Sequence, residues 1–195
     1  MPNAPLDPKM HLRAGSLETQ PINPLPQLAP ATPLELRAAT LEDIPRLYDL
    51  IKYWAERGRM LERSPELLAS TIREFLLLED QNRDLAGVVG LHRMAEDLAE
   101  VRGLAVAPNY QGKGLGRWLV LGAERLARDW GLKRLFAWTY EQRFFERCGY
   151  TRIPREEATL PQEIYGECQR CPFLTNCKEI PMLKLIGEPK PIVTS

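Results

Sequence analysis

The sequence has no net charge, no long hydrophobic run, and few cysteines or histidines. Lysine plus arginine and aspartate plus glutamate number 26 each, so no overall field attracts nucleic acid or anionic lipid. No apolar run approaches the ~18 residues of a membrane span, and no secretory apolar stretch follows Met1. The four cysteines are too clustered for a secreted disulfide framework. These absences predict a soluble, cytoplasmic protein without nucleic-acid or membrane partners.

Proline is concentrated at the beginning of the chain. Eight of the 17 prolines fall within residues 1–33, where no apolar periodicity occurs. Such a stretch cannot bury enough apolar surface to offset its ordering entropy. We therefore predict a Pro-rich disordered arm over 1–33, one folded domain over 34–186 and a short tail over 187–195.

Helical and strand patterns alternate through the predicted domain. The patterns predict strands at 34–39, 75–80, 84–93, 97–108, 134–139 and 150–154. They predict helices at 41–58, 65–75, 115–130 and 141–148, with Ser64 and Pro65 as the start of the second helix. This alternation is typical of an α/β or α+β domain built on a single sheet.

Three glycines lie between the strand that ends at Pro108 and the helix that starts near Leu115. Gly112, Gly114 and Gly116 would let the backbone approach a ligand closely. The free amides of a helix N-terminus bind anions, so the position suits a phosphate group. A P-loop would end in Gly-Lys-Ser/Thr, and a Rossmann loop would come earlier in the chain. A plain tight turn is the alternative.

The stretch "LAVAPNYQGKGLG" (104–116), with its Gln-x-x-Gly-x-Gly pattern, resembles the pyrophosphate-binding motif of the GNAT acyl-CoA N-acyltransferase superfamily. "FFERCGY" (144–150) is similar to that family's short helix entering the next strand. The resemblance implies the GNAT fold, a mixed central sheet with helices on both faces, and acetyl-CoA as donor. It implies pantetheine pairing with the backbone of Leu104, Ala105 and Val106. It also implies a pyrophosphate on the amides of Gln111, Gly112, Lys113, Gly114, Leu115, Gly116 and Arg117.

A narrower resemblance covers "GRMLERS" (58–64), 97–116 and the cysteine-containing segment 164–182. Together they resemble the short, single-domain bacterial N-acetylglutamate synthases. That resemblance implies acetyl transfer to the α-amine of L-glutamate, the first step of arginine biosynthesis. Acetyl-CoA and L-glutamate would be the partners, and a homodimer is left open.

The chemistry needs a base near the acceptor amine. Glu100 is the candidate, because it should share a strand face with Leu98, Arg102, Leu104 and Val106. A buried ion couple between Glu100 and Arg102 is the alternative.

A tyrosine of the short helix protonates the leaving thiolate in many GNAT enzymes, but this chain has Phe144 and Phe145 there. Tyr140 is the nearest substitute, with a packing role as the alternative. A thiolate can also leave unaided.

Two carboxylates of a glutamate acceptor would need cationic partners. Arginine binds carboxylates bidentately. Arg59, Arg63 and Arg102 lie in the matched segments and are predicted to bind the acceptor, although any one of them could be a solvated surface charge.

Cys168, Cys171 and Cys177 form a partial metal signature that lacks a clear fourth ligand. Reduced structural thiols, zinc and a redox-active pair all remain open, and no metal site is assigned.

Two further functions stay in competition with glutamate acetylation. One is a GNAT acetyltransferase for another small amine or a peptide N-terminus. The other is a non-catalytic acyl-CoA-binding module or a cysteine/zinc interaction module.

Overall fold

The computed structural model describes residues 34–155 and 174–187. The predicted arm, all of the predicted tail except Gly187, and both Cys168 and Cys171 lie outside the described residues. Within the described ranges no helix is long and apolar enough to cross a bilayer.

The strands are β1 (Leu34–Ala38), β2 (Phe75–Asp80), β3 (Leu85–Arg93), β4 (Leu98–Val106), β5 (Arg134–Thr139), β6 (Thr151–Arg152) and β7 (Ile180–Leu185). The helices are α1 (Ile44–Ala55), α2 (Pro65–Thr71), α3 (Leu115–Asp129) and α4 (Gln142–Arg147). Short 3-10 turns cover Leu41–Asp43, Ile72–Glu74, Pro108–Tyr110 and Leu174–Asn176. All of the predicted elements form, with shifts of a few residues at their ends.

The strands form one mixed sheet in the order β1-β2-β3-β4-β5-β7-β6. Only β4 and β5 are parallel, and every other neighbouring pair is antiparallel. The predicted mixed sheet is confirmed. Strand β7 was not predicted, and it inserts between β5 and β6, so the last described residues complete the sheet.

Helices cover both faces of this sheet, as predicted. Side chains that alternate along β2 illustrate the division, because Phe75 and Leu77 pack in the cluster under α1 and α2. Leu76 and Leu78 pack in the cluster under α3 and α4. The apolar stripe of α1, with Leu47 and Ile51 fully buried, matches the helical period.

A buried ion network closes the start of the domain. Asp43 and Glu79 are almost fully buried, and Arg37 contacts both carboxylates at 2.8 Å. Arg46 contacts the same two carboxylates. Burial opposes ionisation of Asp43, but hydrogen bonds from Arg37 and Arg46 outweigh burial and hold the pKa of Asp43 well below its usual range.

A bulge in β4 changes which side chains share a face. Gly90 pairs with Arg102 and Val88 pairs with Ala105, so β4 has one extra residue. Gly103 has φ +58°, which suits glycine in this bulge. The alternation of side chains is therefore shifted beyond Gly103. Residues after the bulge therefore cannot be assigned to the face of Glu100 by counting in twos from it.

The burial of neighbouring side chains shows the shift. Ala99 and Val101 pack on the α3 side before the bulge, and Leu104 and Val106 pack on that same side after it. Glu100, between Ala99 and Val101, therefore points to the opposite face, toward α2. The prediction that Leu104 and Val106 share the face of Glu100 is wrong.

Candidate active site

The two parallel strands in the middle of the sheet diverge. β4 and β5 pair only from Leu98 to Glu100, the latter opposite Phe136. In the described part of the chain no ladder pairing joins them beyond that point, although β4 continues to Val106. β5 pairs with β7 along its whole length on its other side. The β5-facing edge of β4 is thus available to an extended ligand.

One backbone group on this edge already has a partner. The indole Nε1 of Trp54, in α1, donates to the carbonyl oxygen of Val106 at 3.0 Å. A carbonyl oxygen can accept a second hydrogen bond. The contact fixes the end of α1 against the end of β4.

The glycine loop has the backbone conformation that its sequence suggests. Gly112 and Gly114 have φ of +74° and +76°, and Gly114 is the N-cap of α3. A Cβ built on either residue would meet nothing within 4 Å. Both residues therefore present bare backbone to open space at a helix N-terminus.

Gly116 has a different role. A Cβ at this position would lie 3.2 Å from the ring of Phe144, in α4. The missing side chain therefore makes room for α4 to pack against the start of α3. Gly116 also lines the cleft, and its place in a phosphate site stays a prediction.

A cleft of about 420 Å³ opens at the glycine loop. One wall is the loop itself with the end of β4, and the other is the C-terminal half of α4. The lining residues are Val106, Tyr110, Gln111, Gly112, Gly114, Leu115, Gly116, Arg117, Phe144, Arg147 and Cys148. Seven of the ten predicted cofactor-binding residues are in this set. Leu104, Ala105 and Lys113 are not.

The loop is tied to a neighbouring hairpin. The hydroxyl of Tyr110 donates to Asp80 Oδ2 at 2.8 Å, while Asp80 Oδ1 accepts from the amides of Asn82 and Asp84 at 2.9 Å. The hydrogen bond to Asp80 raises the pKa of Tyr110 to about 12. This contact fixes the entry to the loop against the turn between β2 and β3.

Glu100 lies in a buried row of charged side chains. Its carboxylate is 3.8 Å from the guanidinium of Arg102. Arg102 in turn contacts Glu74 at 2.6 Å, and Glu74 contacts the Nδ1 of His92 at 2.7 Å. Burial works against ionisation of Glu74, but the contacts with His92 and Arg102 outweigh burial and lower its pKa.

The diverging strands, the glycine loop and the cleft agree with comparisons to known proteins. A model of the acetyltransferase (GNAT) family matches residues 40–150. The chain belongs to the GNAT acetyltransferase family. It is a GNAT-type acetyl-CoA N-acetyltransferase, as the resemblance in its motifs implied.

Two relatives have similar lengths. An uncharacterized N-acetyltransferase of Chlorobaculum tepidum is 34% identical over 157 residues, which are 80% of this chain and 99% of that protein. An amino-acid acetyltransferase of Mycobacterium tuberculosis is 33% identical over 137 residues, which are 69% of this chain and 77% of that protein.

One solved structure extends the comparison. The N-acetylglutamate synthase of Neisseria gonorrhoeae, complexed with coenzyme A and N-acetyl-glutamate, superposes with a TM-score of 0.73 at 28% identity. The match covers 80% of this chain but only 36% of that chain. The GNAT chain described here thus spans about a third of the synthase.

The three predicted acceptor arginines meet different carboxylates in this GNAT domain. Arg59 pairs with Glu141 at 2.6 Å, and both side chains are more than half exposed. Arg63 is half-buried, and its positive charge opposes the burial that raises the pKa of Glu179, just before β7. Arg102 is buried against Glu74. The described side chains therefore do not converge on one shared partner, and their binding role stays a prediction.

The candidate acid Tyr140 and the short-helix residue Phe145 differ in exposure. Tyr140 follows β5 directly and is 38% exposed. Phe145, in the short helix, is 5% exposed and packs edge-to-face on Tyr150. Tyr140 is thus accessible at the end of β5, and its role as an acid stays a prediction.

Cys177 is the member of the cysteine cluster that lies within the described residues. Cys177 is half-buried, with its thiol 3.9 Å from Glu179, while Cys168 and Cys171 lie outside the described residues. Among the residues that the structure describes, no group of three or more potential metal ligands occurs. The zinc hypothesis stays a prediction.

Sequence reasoning missed the α4 wall of the cleft. Phe144, Arg147 and Cys148 line it. Their spacing of three and four residues places them on one helix face. This spacing in the sequence could have predicted that the three side chains line one surface.

Proposed function

We propose that this GNAT enzyme transfers the acetyl group of acetyl-CoA to the α-amine of L-glutamate, the first step of arginine biosynthesis, in the cytoplasm. The similarity to an amino-acid acetyltransferase over 77% of that protein's length carries this proposal. The superposition on a synthase solved with N-acetyl-glutamate supports the choice of acceptor.

The donor fits the open edge of β4 and the cleft. Backbone groups of Leu104, Ala105 and Val106 would pair with the pantetheine amides, with the Val106 carbonyl shared with Trp54. The pyrophosphate would accept hydrogen bonds from loop amides between Gln111 and Arg117. Gly112 and Gly114 leave the necessary space.

The chemistry begins with deprotonation of the acceptor. An alkylammonium with a pKa of ~10 is neutral in about one part in a thousand at pH 7, which costs roughly 4 kcal/mol. Glu100, on the buried row beside the point where β4 and β5 separate, is proposed to take that proton directly or through water. The amine nitrogen then attacks the thioester carbonyl, and the carbon–sulfur bond breaks as the nitrogen loses its second proton to solvent. The thiolate takes a proton from Tyr140, which regains one from solvent, or takes it from solvent directly.

Of the three predicted arginines, Arg59 and Arg63 are proposed to bind the acceptor carboxylates, and Arg102 is proposed to hold Glu100 in place. Arg59 and Arg63 lie between α1 and α2, and Arg102 lies on β4. Arg63 is the most suitable for testing, because it is half-buried and lies in the segment that resembles the synthases. A charge-assisted contact to carboxylate contributes about 1.5–3 kcal/mol.

A thiol-release assay with acetyl-CoA tests the acceptor. We expect L-glutamate to be acetylated far more efficiently than L-glutamine, L-lysine or a short peptide. Glutamine keeps the size but loses one charge, so it leaves a guanidinium underpaired. Equal use of glutamine, or preference for lysine or a peptide N-terminus, would replace glutamate by another amine. If none of these four acceptors causes thiol release, the proposed reaction is wrong.

A matched pair of variants tests the arginine assignment. Arg63→Ala should raise the glutamate KM roughly tenfold or more, while the acetyl-CoA KM stays unchanged. Arg73→Ala is the control, because Arg73 is exposed on the turn after α2. Equal kinetics of the two variants would exclude Arg63 from the acceptor site.

A further inference from the structure

The α4 wall of the cleft has no part in the pyrophosphate site described above. Phe144 and Arg147 line this wall and face the glycine loop across the cleft. Phe144 is held there because Gly116 has no side chain, so α4 can pack against the start of α3. The cleft therefore has a second surface, with an aromatic ring and a cation next to the proposed phosphate position.

The charges in the cleft are all of one sign. Arg117 lies in the first turn of α3 and Arg147 ends α4, and no acidic residue is among the described residues that line the cleft. Neither arginine forms an ion pair within the part of the chain that the structure describes. Arg117 and Arg147 are both exposed, whereas the buried Arg102 and the half-buried Arg37 are held by carboxylates. The two cleft arginines are thus free to bind an anion.

The order of the groups along CoA indicates which anion the two arginines would bind. If pantetheine lies along β4 and the pyrophosphate lies on the loop, the rest of the ligand extends from the loop along the cleft that the α4 wall bounds. The part of CoA beyond the pyrophosphate is adenosine with a 3′-phosphate, which carries a purine ring and two negative charges near neutral pH. A ring beside a cation is the surface that suits this group, because aromatic rings stack on bases and arginine binds phosphate bidentately.

We propose that Arg147, together with Arg117, binds the 3′-phosphate of CoA, with the adenine beside Phe144. The enzyme then discriminates CoA from 3′-dephospho-CoA. This inference rests on the proposed use of acetyl-CoA. The helix dipole offers a structural reason for a cation at the end of α4, but it explains neither the orientation into the cleft nor the absence of acidic side chains there.

The test is calorimetric binding of CoA and of 3′-dephospho-CoA to the full chain and two variants. We expect the unaltered chain to prefer CoA roughly tenfold or more. Arg147→Gln should lower CoA affinity about tenfold while leaving affinity for 3′-dephospho-CoA nearly unchanged. Arg143→Gln, one turn earlier on the same helix and outside the cleft, should keep the full preference.

Two results would overturn the inference and leave the proposed function intact. One is equal affinity of the unaltered chain for both compounds. The other is an equal loss for both compounds in Arg147→Gln, which would place Arg147 on the pyrophosphate or on no specific group. Failure of CoA itself to bind the unaltered chain would instead remove the proposed donor, and this inference with it.

Discussion

The ion pair between Lys184 and Glu124 joins the unpredicted strand β7 to α3, and its removal should be costly. Lys184 Nζ lies 2.5 Å from Glu124 Oε1 and 2.6 Å from the carbonyl oxygen of Cys148. Glu124 is 1% exposed. Lys184→Met keeps the apolar stem but leaves a buried carboxylate whose one remaining cationic neighbour among the described residues is Arg128, at 3.7 Å.

The expected loss follows from the burial. Removing one partner of a buried pair costs about 3–5 kcal/mol, since the remaining charge stays desolvated. Arg128 can compensate in part, so the lower end applies, about 3 kcal/mol. With a typical urea m-value of about 2 kcal/mol/M, the unfolding midpoint should fall by roughly 1.5 M.

Urea unfolding of three variants measures this loss. Lys133→Met, at an exposed position just before β5, should stay within about 0.5 kcal/mol of the unaltered protein. The double variant Lys184→Met/Glu124→Leu should recover most of the loss, because a well-packed apolar pair often replaces a buried ion pair without cost. A loss below about 1 kcal/mol in Lys184→Met, or a double variant no more stable than the single one, would refute the reasoning.

Three further changes test the proposed site and the fold. Glu100→Gln should lower kcat about 100-fold or more with an unchanged acetyl-CoA KM, and near-normal turnover between about pH 6 and 9 would make Glu100 a structural ion pair. Tyr110→Phe should weaken acetyl-CoA binding by about three- to tenfold without changing kcat, because the loop loses its hydrogen bond to Asp80. The control Tyr53→Phe should leave acetyl-CoA binding unchanged. Asp43→Asn should destabilise the fold by about 3 kcal/mol at pH 7, as measured by urea unfolding. Because the folded pKa of Asp43 is depressed, its contribution to stability is complete above the unfolded pKa of about 3.9 and is lost as pH falls through the folded pKa. If the difference in unfolding free energy between the unaltered protein and Asp43→Asn disappears already above about pH 5, this assignment is wrong.

The donor half of the site was predictable because its signals are local. Positive φ at Gly112 and Gly114, and the helix that begins at Leu115, depend on residues a few positions apart. The divergence of β4 and β5 was not predicted, since no local pattern shows where a parallel ladder ends; the family resemblance implied only a pantetheine partner for residues 104–106. Its position at Glu100 and Phe136 is a property of the folded sheet.

Two features of the sheet were missed for different reasons. β7 contains Pro181, which weakens a strand signal, and its pairing with β5 joins residues far apart in the sequence. The bulge in β4 did have a signal, because Gly103 interrupts an otherwise apolar strand. A strict period of two across that glycine placed Leu104 and Val106 on the wrong face.

The acceptor half depends on which of the observed arginine contacts an incoming carboxylate can replace. The exposed pair of Arg59 and Glu141 contributes about 0–1 kcal/mol, so a substrate carboxylate can displace it at little cost. Arg102 is different, because its 2.6 Å contact with Glu74 is largely buried, and breaking it would leave a desolvated carboxylate. A glutamate acceptor should therefore bind chiefly to Arg59 and Arg63. Arg102 would act by holding Glu100 in place, so that Arg59 and Arg63 variants should raise the acceptor KM, whereas Arg102→Lys should lower kcat.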